Sequence, residues 1–305
     1  VRVRGRSDSP GWERGGSSCA GQTGRVNHQL GAIVCALLAA LCFAVAAVAQ
    51  QHAAAGVGED ESLVRELLRN PRWWAGIGGD ATGYGLQVVA LALGAVLLVQ
   101  PILVSALVFA LPLSARINRR GISARTWAIA LALVAALACF LIVGNPTEGN
   151  STAPLGDWIV PLAVLLGLIG AAVAAGGATR DPARRALLLG AAGGSLFGLA
   201  AALTVYVTGL FEHGLGQVLG SWQTWALVTA GVTGVYLQQR AFQAGPLAAS
   251  LPAVTIAEPL AAAFIGVGVL GERLRTGGFG LVVIALTVVV MCVATVRLSR
   301  VQAEV

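Results

Sequence analysis

The chain has no lysine, one methionine, three histidines and only 11% charged residues across 305 positions. The histidines (His28, His52, His213) stand far apart, so no short segment carries a histidine pair of metal-ligand spacing. The five cysteines (Cys19, Cys35, Cys42, Cys139, Cys292) are odd in number and unclustered, which argues against a disulfide framework or a metal site. G-x-S-x-G, H-E-x-x-H and a Walker loop are all missing. Gly78-Gly79-Asp80 is similar to the glycine-aspartate motif of intramembrane aspartyl proteases, but Ile77 stands where that motif needs glycine. The sequence therefore predicts no enzyme and no cofactor. Its +6 charge comes from 20 arginines, a habit of GC-rich bacterial genomes, and predicts no nucleic-acid partner.

What the chain does have is apolar length. It is 56% hydrophobic, in runs long enough to cross a bilayer, so the fold class is all-α and the partner is lipid. Residues 1–30, rich in Gly, Ser and Arg, read as a disordered tail. Spans are expected at 31–50, 73–98, 99–116, 126–144, 157–178, 186–211, 222–243, 247–270 and 278–297, nine in all. The first run resembles a signal peptide in its Ala47-Val48-Ala49, but is longer than such a region needs. Residues 59–72 read as a short interfacial helix or a solvated linker. Orientation follows from arginine. With the N-terminus outside and the C-terminus in the cytoplasm, thirteen arginines fall in inner loops and only Arg273 and Arg275 in outer ones, the tail set aside.

The chain also repeats itself. Trp74–Ala110 aligns without a gap on Trp225–Ala261, 151 residues later, and both read W-A-x6-T-G-x2-L-Q-x2-A-x3-G-x6-P. At an offset of 154, Gly190, Gly194 and Gly198 match Ala36, Ala40 and Ala44, small residues that let helices approach closely. The halves are then 31–145 and 186–298, joined by the odd span 157–178, with a tail at 299–305. Five spans separate matching helices, so the two copies run in opposite directions, an arrangement of transporters.

Nine spans, paired T-G-x2-L-Q segments, a proline opening the next helix and Gly271-Glu272-Arg273 closing it resemble the drug/metabolite transporter superfamily (EamA-like). The Trp73-Trp74 entry and the span count are similar to its NIPA-like magnesium transporter branch. The resemblance covers roughly residues 31–298, and Ser114-Ala115-Arg116 departs from it in the first copy. It implies gradient-driven transport of small metabolites or drugs in a bacterial inner membrane, with divalent-cation transport as the alternative.

Polar residues at membrane depth are the candidate site, because each is costly there without a partner. Glu258, in mid-span beside Pro259, has the chemistry to exchange a proton or bind a cation; the competing reading makes it the partner of Arg240. Asp80, Tyr84 and Gln87 share a helix face at i, i+4 and i+7, although Asp80 is near enough to the cytoplasmic end to be solvated. Gln87 and Gln238 are the repeat-related amides, fit for contacting substrate or for bonding a neighbouring helix. Gln50, Gln51 and His52 cluster at the inner end of the first span, and Pro101, Pro252 and Pro259 are expected to kink or start helices. A membrane scaffold without transport is the reading from another class. Substrate and oligomeric state, a homodimer included, stay open at this level.

Overall fold

The computed structural model describes residues 16–55, 69, 71–117, 121–147, 149, 153–211, 214–245 and 247–303. The expected interfacial helix lies largely outside them, as do His213 and the side chains of Gln50, Gln51 and His52. The elements are α1 (Gly16–Ala55), α2 (Pro71–Leu93), α3 (Val96–Leu103), α4 (Ala106–Ile117), α5 (Ala124–Gly144), β1 (Pro146–Thr147), α6 (Leu155–Ala178), α7 (Pro182–Leu210), α8 (Leu215–Gly220), α9 (Trp222–Ala244), α10 (Leu247–Gly268), β2 (Arg273–Leu274) and α11 (Gly278–Ala303). α1 begins at Gly16, ahead of its apolar run, so residues 16–30 of the expected disordered tail are helical. A formed span is already a nucleus, and adding a residue then costs little.

Among the described residues, seven segments are long and apolar enough to cross a membrane: His28–Ala49, Val96–Leu113, Ala124–Gly144, Leu155–Ala178, Pro182–Leu210, Ala249–Gly268 and Gly278–Leu298. The protein is a multi-pass helical membrane protein. α2 and α9, 23 residues each, have the length but are not among the seven. They carry Asp80, Tyr84 and Gln87, and Gln238, Gln239 and Arg240.

Helix ends follow local chemistry. Ser123 accepts from the Thr126 amide to open α5, and Ser221 does the same with Thr224 at α9. Asp181 accepts from the Ala183 amide, with Pro182 opening α7. Asn145, at φ 40°, caps α5 in the left-handed region. The span begun by α3 is broken at Val104–Ser105, where the Ser105 amide bonds the Ile102 carbonyl three residues back. Pro101, which cannot donate, sits just before this break.

α7 is the centre of the array, packed against α2, α6, α9 and α10. Its closest neighbour is α10, and Gly190, Gly194 and Gly198 line that contact. A methyl at any of them would overlap backbone of Ser250, Val254 or Glu258. α1 packs on α2 much as α7 packs on α9, and α5 lies along α11. Phe43 of α1 lies over Gly83 of α2, while Phe197 of α7 lies over Gly234 of α9. Trp158 of α6, fully buried, meets Tyr206 and Trp222 edge-on at 5.9 and 5.5 Å and ties α6 to α7 and α9. β1 and β2 form a two-residue antiparallel pair, Pro146 opposite Leu274.

Gly194→Leu is expected to force α7 from α10 at a cost of about 1–3 kcal/mol or more, seen as a lower melting temperature in detergent. Gly167→Leu, where nothing lies within 4 Å of the added carbon, is the matched control and should leave it unchanged.

Candidate functional site

Interrupting a spanning helix exposes backbone donors and acceptors that lipid cannot satisfy. The chain does this at Gly94–Ala95, between α2 and α3, where Ala95 is 5% exposed. The donors at the start of α3 are met from the far end of the chain. Glu272 accepts from the Val96 amide through Oε1 at 2.7 Å and from the Leu97 amide through Oε2 at 2.9 Å. A carboxylate at a helix N-terminus also meets the positive end of the helix dipole.

Local chain geometry aims this side chain. α10 ends at Gly268, Gly271 turns in the left-handed region at φ 68°, and the Glu272 amide bonds the Gly266 carbonyl at 3.0 Å. β2 follows at once and pairs with β1. Gly266 and Gly149 leave room for the carboxyl, since a methyl at either would come to 2.9 Å from Glu272 side-chain atoms. Glu272 is 1% exposed. Burial raises its carboxyl to about 7, outweighing the two backbone bonds that pull it down.

Beside it lies a cavity of about 180 Å³, whose wall includes His28 of α1, Leu91–Ala95, Gly149, Val205 of α7, Leu270 and Glu272. α1, the α2–α3 break, α7 and the α10–β2 turn thus meet at one end of the molecule. Nothing in the residue types marked this place. Glu272 reads in sequence only as part of a helix-closing motif, and His28 as an isolated histidine. An acid beside a glycine at the end of a span was the one available signal.

The residues expected to form the site are held apart. Tyr84, 43% exposed, reaches the buried Thr204 of α7 at 3.3 Å between hydroxyl oxygens. The backbone of Gln238 faces Gly193 of α7, and that of Glu258 faces Gly198. At the helical rise of about 1.5 Å per residue, Gly193, Gly198 and Thr204 spread these contacts over roughly 16 Å of α7. Gln87 is buried, Gln238 half-buried and Asp80 half-buried. Arg240 is exposed, and among the described residues the one salt bridge is Arg184–Asp181 on the surface. Pairing of Glu258 with Arg240 is therefore not made. Among the described residues five side chains have a buried, unpartnered polar atom: Gln100 before Pro101, Ser105 in the α3–α4 break, Ser250 against Gly190, Trp158 and Arg185.

No family model matches the chain, and no solved structure matches it. A protein of Corynebacterium glutamicum, described as uncharacterized, is 36% identical over 276 residues, which cover 88% of this chain and 94% of that protein. The chain belongs to that protein's family. The match takes in nearly the whole of both chains.

Glu272→Ala should orphan two buried amides at about 1–3 kcal/mol each. Its melting temperature is expected to fall well below that of Arg273→Ala, whose side chain is exposed.

Proposed function

We propose that the protein is a gradient-driven carrier of small metabolites, built as an inverted repeat of nine spans and working by alternating access. The observation that carries this reading is the agreement of contacts between its halves. α2 and α9 have both ends displaced by 151 residues, and α3 and α10 start 151 apart. Phe43 over Gly83 corresponds to Phe197 over Gly234, and Ala32 against Gly94 to Ala186 against Gly245. These pairings combine the offset of 151 in one helix with that of 154 in its neighbour, which chance similarity of apolar sequence would not bring into contact.

Opposed orientation is supported by where the matching turns lie. Gly94 lines the cavity near Val205, whereas Gly245 lies against Pro182 at the start of α7. Val205 and Pro182 are roughly 35 Å apart along a helix of this rise. Equivalent breaks thus occupy opposite ends of the array, as two halves that alternately open would place them. In this reading α2 and α9 also span the membrane, their polar residues turned to the path between the halves.

The drug/metabolite transporter resemblance fits this architecture and suggests a bacterial inner membrane, with the N-terminus outside by the arginine distribution. Between metabolite and magnesium, the donor set favours the metabolite. A divalent cation asks for several oxygen ligands, and among the described residues no three His, Cys, Asp or Glu side chains converge. A pure scaffold accounts poorly for the carboxylate of Glu258, half-buried and without a hydrogen-bond or ion-pair partner among the described residues.

Proteoliposomes containing a pH dye and a magnesium dye test the proposal against a panel of amino acids, amines and organic acids. Solute-dependent flux in the wild type, lost in Glu258→Gln with unchanged melting temperature, is the expected outcome. Magnesium entry without solute flux would replace the metabolite reading. Full flux in Glu258→Gln would remove that residue from the path.

A further inference from the structure

Glu258 stands at the centre of the packed face of α10, yet its carboxylate has no partner among the described residues. We propose that it anchors a binding site for a small organic monocation, a ligand carrying an ammonium or guanidinium group, between the halves of the carrier. The inference rests on the transport reading and deepens it by naming the class of solute, but binding can be measured without flux.

The face that Glu258 occupies is set by its neighbours. Residues three and four apart share one side of a helix. Val254, Ala261, Ala262 and Ile265 stand three, four or seven residues from Glu258 and are all buried. Leu260, Phe264 and Val267, on the opposite side of α10, are all exposed. The carboxylate thus leaves α10 on the side packed into the protein, where the Glu258 carbonyl lies against Gly198 of α7, and not on the side turned to lipid. Its neighbours there are buried while Glu258 is only half-buried, so it occupies an opening in the packing.

The same turn is rich in acceptors. Pro259 has no N–H, so the Thr255 carbonyl four residues back lacks its helical donor. The Thr255 hydroxyl donates to the Leu251 carbonyl at 2.9 Å, which commits its proton and leaves its oxygen an acceptor. Thr255 lies one turn before Glu258, on an adjoining part of the same face. Two carboxylate oxygens, a carbonyl and a hydroxyl oxygen are therefore close together, with no donor to spare. Such a set suits a ligand that donates several hydrogen bonds at once, as an ammonium or guanidinium does.

Charge points the same way. The chain has no lysine, and among the arginines with described side chains all are exposed except Arg185. Arg185 sits in the first turn of α7, roughly 20 Å from Gly198 along the helix at its rise of about 1.5 Å per residue. An anionic solute would meet the Glu258 carboxylate with no cation to offset it. A neutral solute would leave the charge uncompensated at membrane depth. A divalent metal ion would find one carboxylate where it needs several oxygen ligands, and no three His, Cys, Asp or Glu side chains converge among the described residues. A single organic cation supplies the missing charge and uses the surrounding acceptors.

Thermal melting of the full chain in detergent reads this binding. The probes are straight-chain amines from ethylamine to hexylamine and the matching alkylguanidines. Each is compared with the carboxylic acid and the alcohol of equal chain length at equal ionic strength. At least one amine or guanidine should raise the melting temperature saturably, by about 2 °C or more, where the matching acid and alcohol do not. Glu258→Gln, which keeps the shape but not the charge, should abolish that rise. Asp157→Asn, which neutralises an exposed carboxylate at the start of α6, should keep it. The proposal is overturned if no amine or guanidine stabilises the protein, if an acid or alcohol does so equally, or if the rise survives in Glu258→Gln. Should the glutamine variant not fold, the charge series on the wild type and on Asp157→Asn still decides. Saturable amine binding with no flux of any solute would leave the site and remove the transport reading. Flux of another solute without amine binding would do the reverse.

Discussion

Backbone groups in a membrane must find partners within the protein, and this one requirement shapes how the array closes. A helix that stopped and restarted in lipid at Gly94–Ala95 would strand several amides. The chain meets the first two with a carboxylate supplied 175 residues further on. That bond makes the α2–α3 turn, the end of α10 and the β1–β2 pair mutually dependent. It also brings an ionisable group to where the halves touch. A neutral acceptor such as an asparagine would satisfy one amide, whereas the carboxylate has an oxygen for each.

Close packing by α7 supplies the rest. Its glycines let α10 approach backbone to backbone, and the same helix presents Thr204 to Tyr84 and Gly193 to the Gln238 backbone. α7 consequently contacts α2, α9 and α10, which hold Asp80, Tyr84, Gln87, Gln238, Arg240 and Glu258. It is also 29 residues long, so those residues meet it at different depths. In the proposed carrier, a substrate crossing between the halves would encounter them in succession.

Much of this was legible in the sequence because apolar length and turn residues are local signals. The spans expected at 126–144 and 157–178 differ from the observed helices by at most two residues at any end, and the helix expected at 222–243 by one, but the boundary expected at 98–99 falls instead at Gly94–Ala95, inside the expected span 73–98. The Gly190, Gly194 and Gly198 stripe does face a neighbouring helix. Less visible was anything requiring the third dimension. Val104–Ser105 breaks a run of continuous hydrophobicity, and only its position after Pro101 hints at it. Glu272 looks like a loop acid until α3 is placed over it. His28 sits in a segment that composition alone assigns to a tail. Glu258 and Arg240 looked like partners because one hairpin separates them, but proximity along a chain does not decide which face of a helix a side chain occupies.

The two copies are not equivalent, and the difference is informative. In the second copy α10 runs unbroken through the positions matching Val104–Ser105, while the first copy splits into α3 and α4. Leu107 stands where the second copy has Glu258, and Val99 where it has Ser250. The first copy instead buries Gln100 and Ser105 around its break, each with an unpartnered atom. Polar groups therefore gather at the break in one half and along an intact helix in the other. A strictly symmetric pair would have equal energies for its two openings, because each arrangement would be the image of the other. In the proposed carrier, unequal polar groups would remove that equality and bias the empty protein toward one arrangement. A ligand or proton that binds only one of them then has a defined population to shift.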